Sequence, residues 1–288
     1  MFSIVIPAHN EERVLGRLLT QLTPLPSGEE ADIVVVANGC TDGTVEVAAT
    51  FSPRVRVFSI PSASKREALV TGDRVAKGFP RLYIDADVEL RAEDARALAE
   101  ALNTPGVLGA GPEREHSMAG LPWAVRWYYD VWTRLPEVKR GLFGRGVVGV
   151  SAEGYLRMSQ LPPLLADDLA PSLVFSPDER IIVPGTRVIV HPPRTVGDLV
   201  RSRARAMMGA DQVERAENGL NAIGRTRLAD VAIIARRDPR LVPRACVFMV
   251  VALLARRQAR RVTARSGYST WLQDRSSREG ASQMGELH

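Results

Sequence analysis

Only two cysteines, Cys40 and Cys246, occur in the 288 residues. Two cannot build a disulfide framework, so a reducing compartment is the expectation. Lysine is nearly missing: Lys65, Lys77 and Lys139 are the whole complement. No apolar run approaches the ~20 residues a membrane-spanning helix needs. The apolar start, Phe2–Ile6, stops at Pro7 and is too short for a secretory signal. Helix-turn-helix, zinc-ligand and RNA-recognition signatures are missing as well, so no nucleic-acid partner is expected. No internal repeat is visible. These gaps point to a cytoplasmic globular protein.

The chain does have a globular composition, 45% apolar and 25% charged, and enough length for a large core. Its net charge of +5 is unevenly placed. Residues 194–265 hold 16 arginines against 6 acids, a surface suited to an anion such as phosphate or a lipid headgroup.

The first 110 residues alternate strand and helix patterns. Strands are expected at Phe2–Ile6, Ile33–Ala37, Val55–Ile60, Arg81–Ile84 and Val107–Ala110. Between them, Asn10 should cap a helix striped by Val14, Leu15, Leu18, Leu19 and Leu22. Further helices fit Val45–Phe51, the Ser64–Glu67 capping-box start running to about Lys77, and Ala92–Leu102. Such units build a mostly parallel sheet with helices on both faces and a ligand crevice at the strands' carboxyl ends. Later, three of the four tryptophans fall within Leu121–Leu135, and a strand pattern covers Val147–Val150. Arg180–Pro184 and Arg187–His191 read as a hairpin turned at Pro184-Gly185. Thr195 opens an arginine-rich helix, two more helix patterns follow at Arg225–Arg237 and Arg244–Arg261, and the tail is polar.

Three segments carry chemistry, each at a strand's carboxyl end. Asp85-Ala86-Asp87 leaves the fourth strand. Paired carboxylates suit a hard divalent cation, which would act as a Lewis acid on a leaving diphosphate. Asn38-Gly39-Cys40-Thr41-Asp42-Gly43-Thr44 follows the second strand; its glycines admit a ligand close to the backbone, and Asn38 and Asp42 can meet a nucleobase or ribose. Pro7-Ala8-His9-Asn10-Glu11-Glu12 follows the first strand. Taken singly, each also fits a plain loop or capped helix start.

In this order the three segments resemble the glycosyltransferase family 2 pattern on the GT-A fold, over roughly residues 3–210. The resemblance implies an inverting enzyme that moves a sugar from a nucleotide-diphosphate donor to an acceptor hydroxyl, with Mg²⁺ or Mn²⁺. It implies that Pro7, Ala8, Asn10, Glu11, Asn38 and Asp42 cradle the donor nucleotide with Asp85, Ala86 and Asp87; Lys65, at a helix N-terminus, is a further candidate to meet its phosphate. Asp87 and Asp85 would hold the metal, with His191 as a third ligand. Asp168 of Ala166-Asp167-Asp168-Leu169 matches the family's catalytic base, with Asp167 its neighbour and fallback. Arg203 and Arg205 match a basic motif that reaches the diphosphate or acceptor, although the Gln-x-x-Arg-Trp form is missing: Ser202 and Ala206 stand at its ends.

The implied layout is a catalytic domain over 1–220, with a nucleotide-binding half at 1–110 and an acceptor-binding half at 111–220. A helical C-terminal extension covers 221–265 and a flexible tail 266–288. Arg145 in its glycine loop is a candidate acceptor contact, and the Trp/Tyr segment a candidate surface for a sugar or lipid. The acceptor is expected to be a carbohydrate or a lipid-linked molecule of the cell envelope. Peripheral contact with the inner face of the cell membrane would run through 241–261. Two alternatives remain open at this point: a sugar-phosphate nucleotidyltransferase, although no glycine-rich loop follows the first strand, and a non-catalytic nucleotide-sugar-binding scaffold.

Overall fold

A computed structural model describes residues 1–24, 31–160, 174–216 and 228–266, with side chains described up to 208 in the third segment and up to 263 in the fourth. Strands β1 (Phe2–Ala8) and β2 (Ala31–Asn38) are buried along their whole length, as strands covered on both faces must be. β3 (Val55–Ile60) pairs parallel with β2, and β4 (Arg81–Ile84) parallel with β1. β5 (Glu89–Leu90), β6 (Gly109–His116), β7 (Val147–Val150) and β8 (Arg180–Val190) complete a mixed sheet of order β3-β2-β1-β4-β7-β6-β8-β5. β7 enters antiparallel between β4 and β6, while β6 and β8 run parallel.

Helices cover both faces. On one, α1 (Leu15–Leu22), α2 (Thr44–Ala49) and α4 (Ala92–Ala101) join Ile33 and Val35 in the main core. Leu15, Leu18, Leu19 and Leu22 recur at helical spacing and are fully buried; each such side chain contributes about 1.5–3 kcal/mol of burial free energy. On the other face, α3 (Lys65–Val75) sets Ala68 against Val34 and Val36. Its start is capped as the sequence predicts, with the Ser64 hydroxyl accepting from the Glu67 amide at 3.2 Å.

A second core lies beyond the sheet. It is built from α5 (Trp123–Trp132), α6 (Pro136–Arg140), α8 (Val196–Ala216), α9 (Leu228–Arg237) and α10 (Val242–Ser266). α7 (Ala152–Ser159) follows β7. Tyr128 of α5 stacks on Phe248 of α10 at 4.9 Å, so the C-terminal helices share a core with the Trp/Tyr segment. No helix among the described residues is long and apolar enough to cross a membrane.

Three sequence expectations need correcting. Asn10 does not cap a helix: its φ of 54° lies in the left-handed region, and α1 starts only at Leu15. The expected 180–191 hairpin is a single strand. Pro112 of β6 faces Val183 and Glu113 faces Arg187, so residues 184–186 loop out as a bulge and the strand resumes in the same direction. The Thr186 hydroxyl donates back to the Val183 carbonyl at 2.8 Å and closes the bulge. Finally, β6 runs on to His116, past the apolar residues, because β8 supplies backbone partners for its polar half.

Candidate active site

The loops after β1 and β2 are tied into one wall. The Asn10 amide oxygen accepts from the Thr41 backbone N–H at 2.8 Å, and the Thr44 hydroxyl accepts from the Glu11 N–H at 2.8 Å. Asp42 accepts from the Glu12 N–H at 3.2 Å and from the Thr44 N–H at 3.1 Å and hydroxyl at 2.5 Å. Asp42 is therefore a tie between the loops. Pro7 and Ala8 lie inside β1, paired with Val36 and Ala37. Asn38 is buried, and its Nδ2 donates to the Ala8 carbonyl at 2.9 Å. Its buried Oδ1 has no hydrogen-bond partner among the described residues. An unfilled buried acceptor costs about 1–3 kcal/mol, so this atom suits a ligand N–H.

The acidic pair stands at the end of β4. Burial alternates through 84–90: Ile84, Ala86, Val88 and Leu90 are in the core, whereas Asp85 and Asp87 are half-buried. Lys65, in the first turn of α3, reaches the Asp85 carboxylate at 2.8 Å. Asp87 has no hydrogen bond or ion pair among the described residues. A half-buried carboxylate without a counter-charge, beside a second carboxylate, is a fitting hard-oxygen donor set for Mg²⁺ or Mn²⁺. It is incomplete alone, since no group of three His, Cys, Asp or Glu side chains converges among the described residues.

His191 does not complete it. Its Nε2 pairs with the Glu89 carboxylate at 2.7 Å, which also meets Arg17 at 3.3 Å and Gln21 at 3.1 Å. The result is a brace between α1, β5 and the end of β8. The His191 hydrogen bond, ahead of the Arg17 charge, holds the Glu89 carboxyl below its ordinary value.

The loop 141–146 closes the other side of the acidic pair. The Asp85 N–H donates to the Gly146 carbonyl at 2.7 Å. Gly146 has φ +66°, and a Cβ there would lie 2.4 Å from Val88 Cγ1, so only glycine fits. Arg145 corrects the expectation of an acceptor contact: it is buried and donates to the carbonyls of Gly141, Pro112 and Lys139 at 2.8–3.0 Å. Arg114, which the sequence reading missed, donates to the Gly144 and Val138 carbonyls at 2.8 Å. Together the two arginines hold the loop in shape.

Arg203 and Arg205 part company. Arg205 is exposed, while Arg203 turns inward onto Trp132, Tyr129 and Tyr128. Most of the Trp/Tyr segment is core, but Trp123 is 62% exposed. With Trp127, Arg126, Asp130 and Arg244 it lines an open cavity of about 470 Å³ that none of residues 85–87 touches. Asp167 and Asp168 lie outside the described residues.

Comparison with known proteins agrees with this architecture. A mannosyltransferase from Pyrobaculum calidifontis, solved with GDP-Man and Mn²⁺, superposes with TM-score 0.59 at 18% identity, covering 98% of this chain and 86% of that one. A glucosyl-3-phosphoglycerate synthase from Mycobacterium tuberculosis, solved with Mn²⁺, UDP and glucosyl-3-phosphoglycerate, gives 0.54 at 20% identity, covering 75% and 79%. These likenesses establish the GT-A fold. In sequence, a dolichyl-phosphate beta-glucosyltransferase of Trichomonas vaginalis is 30% identical over 131 residues, 39% of this chain and 41% of that protein. An undecaprenyl-phosphate 4-deoxy-4-formamido-L-arabinose transferase of Aeromonas hydrophila is 29% identical over 108 residues, 35% and 33% of the two chains. The match thus spans less than half the length of either curated relative. The glycosyl transferase family 2 model matches residues 3–150, more than half of the chain and all three loops of the crevice. This chain belongs to glycosyl transferase family 2.

Proposed function

We propose that this glycosyltransferase moves its sugar with inversion, from a nucleoside-diphosphate sugar to an acceptor hydroxyl, with a divalent metal at the acidic pair. The observation that carries this reading is the half-buried Asp87, without a partner among the described residues, beside the Lys65-bound Asp85 at the carboxyl end of β4, a strand paired parallel with β1. Asp87 and Asp85 would hold Mg²⁺ or Mn²⁺, whose bound charge eases departure of the nucleoside diphosphate. Two protein carboxylates leave room for diphosphate oxygens in the shell. Lys65 holds Asp85 in place through their ion pair and adds positive charge next to the leaving group. The Asn38 Oδ1 accepts an N–H of the nucleobase. Asp168 takes the acceptor hydroxyl proton as that oxygen attacks the anomeric carbon, with Asp167 beside it.

The acceptor is a carbohydrate or lipid-linked molecule, in keeping with the lipid phosphates named for both curated relatives. The 1–220 catalytic unit would carry the chemistry and the 221–265 extension would support it at a membrane surface. Val250, Leu253 and Leu254 are 41–57% exposed on α10, and Arg256, Arg257, Arg260 and Arg261 are exposed just beyond. Such a face suits an anionic leaflet.

The test is a panel of nucleotide sugars in a thermal-shift assay with and without Mn²⁺, since a ligand of the native state raises the melting temperature. One donor should bind only with metal, and proton NMR of its transfer product should show the opposite anomer. Donor binding that ignores metal, or survives Asp87→Ala unchanged, would remove the metal from the reading. Retention of configuration would remove inversion.

A further inference from the structure

Two inward-turned arginines have carboxylate partners, Arg56 with Asp32 at 2.9 Å and Arg81 with Asp73 at 2.8 Å, while the buried Arg145 is held by carbonyls. Two more cations gather around Trp132. The guanidinium carbon of Arg114 lies 4.4 Å from the Trp132 ring centre, and that of Arg203 lies 5.0 Å from it. His116 packs on Tyr129 at 4.6 Å and on Trp132 at 5.8 Å. Neither arginine has a carboxylate partner among the described residues; Arg203 is hydrogen-bonded to Tyr128, and its buried Nε has no hydrogen-bond partner there. Arg114 spends its donors on loop carbonyls, which carry no net charge. Arginine stays charged at any ordinary pH. Two cations thus lie against one indole ring, and charge drawn away from water without a counter-ion is unfavourable. All three side chains remain partly exposed, so an anion can reach them.

We propose that Arg203, His116 and Arg114 form, around Trp132, a binding site for a phosphoryl group carried by the acceptor. The proposal rests on the transferase reading above and names its acceptor class. Three nitrogen groups from two elements (β6 twice, α8 once) match the several terminal oxygens of a phosphoryl group better than the two of a carboxylate. The aromatic walls exclude water and strengthen each contact.

Position separates this site from the donor diphosphate. A Cβ on Gly144 would meet Trp132 and Arg114 at 3.1 and 3.3 Å, while one on Gly146 would face Asp85 at 3.5 Å. Those two glycines are at most ~7 Å of chain apart. The cationic pocket therefore adjoins the acidic pair across one short loop without sharing a side chain with it, as an acceptor subsite must.

The experiment uses the full chain. Inorganic phosphate is titrated by calorimetry into the free enzyme and into enzyme saturated with nucleoside diphosphate and Mg²⁺. Phosphate should bind both with the same affinity. Arg203→Gln should weaken it about ten- to a hundredfold, the worth of a charge-assisted hydrogen bond, and Arg203→Lys should restore part of the loss. Far-UV circular dichroism checks that both variants fold. Transfer is then measured to a water-soluble phosphomonoester and to a polyprenyl phosphate in detergent micelles, each against its dephosphorylated form. Use of either phosphorylated acceptor, with a raised KM in Arg203→Gln, supports the site and shows which source fills it. Competition between phosphate and nucleoside diphosphate, unchanged phosphate affinity in Arg203→Gln, or equal transfer to dephosphorylated acceptors would overturn it. Failure of the enzyme to bind any nucleoside diphosphate would instead sink the transferase reading, which the phosphate titration on free enzyme does not depend on.

Discussion

The dry, cationic surroundings of His116 make a sharp prediction about stability and pH. Burial, followed by the charges of Arg114, Arg203 and Arg145, pushes this histidine down to about 3. In the unfolded chain it titrates near ~6.5. The folded protein thus keeps the ring neutral while the unfolded chain takes up a proton below pH ~6.5, and linkage then lowers stability as pH falls. The loss begins near ~6.5 and continues until the folded value is reached. At ~1.4 kcal/mol per pH unit, this one group costs about 2 kcal/mol between pH 7 and pH 5. His116→Phe removes the titration and keeps an aromatic ring against Tyr129 and Trp132. Urea unfolding followed by circular dichroism, in buffers free of multivalent anions, should show wild type losing about 2 kcal/mol more than the variant over that range. Phosphate in the buffer should flatten the wild-type slope, because an anion beside the ring favours the imidazolium. Parallel pH profiles for wild type and His116→Phe would refute the reasoning.

Other outcomes follow from the same structure. Gly146→Ala adds a methyl 2.4 Å from Val88 in a left-handed backbone, and should cost about 2–4 kcal/mol together with metal-dependent donor binding. Gly106→Ala, at φ +85° with open space around it, should cost only the backbone part, and equal melting temperatures for the two variants would contradict the packing argument. Glu89→Gln removes a carboxylate held below its ordinary value by His191 and Arg17. A depressed carboxyl stabilises above its unfolded value of ~4.3 and loses that contribution as pH falls through the lower folded value, so the variant's deficit should be full at pH 7 and vanish in acid denaturation profiles well below pH 4. Asp168→Asn should lower kcat by about 10²–10⁴-fold if the residue is the base, with donor binding by thermal shift unchanged; a twofold effect would move the role to Asp167 or elsewhere.

The sequence alone determined most strands and helices of the first 110 residues. Apolar runs of β-branched residues, each ending in a turn-forming loop, are self-sufficient signals, and local capping at Ser64 works over three residues. The acidic pair was legible for the same reason: its position follows from the strand that precedes it. What only the tertiary structure decided lies where one segment's role is set by a distant one. His191 is drawn to Glu89, 102 residues away, and Asn10 to Thr41, so neither fills the role its local sequence suggests. Arg145 looks like any exposed arginine in a glycine loop until the carbonyls of 112, 139 and 141 surround it. Arg114, His116, Trp132 and Arg203 share no motif or spacing; packing of β6, α5 and α8 brings them together. Their charge has meaning only through burial, which is a property of the folded chain.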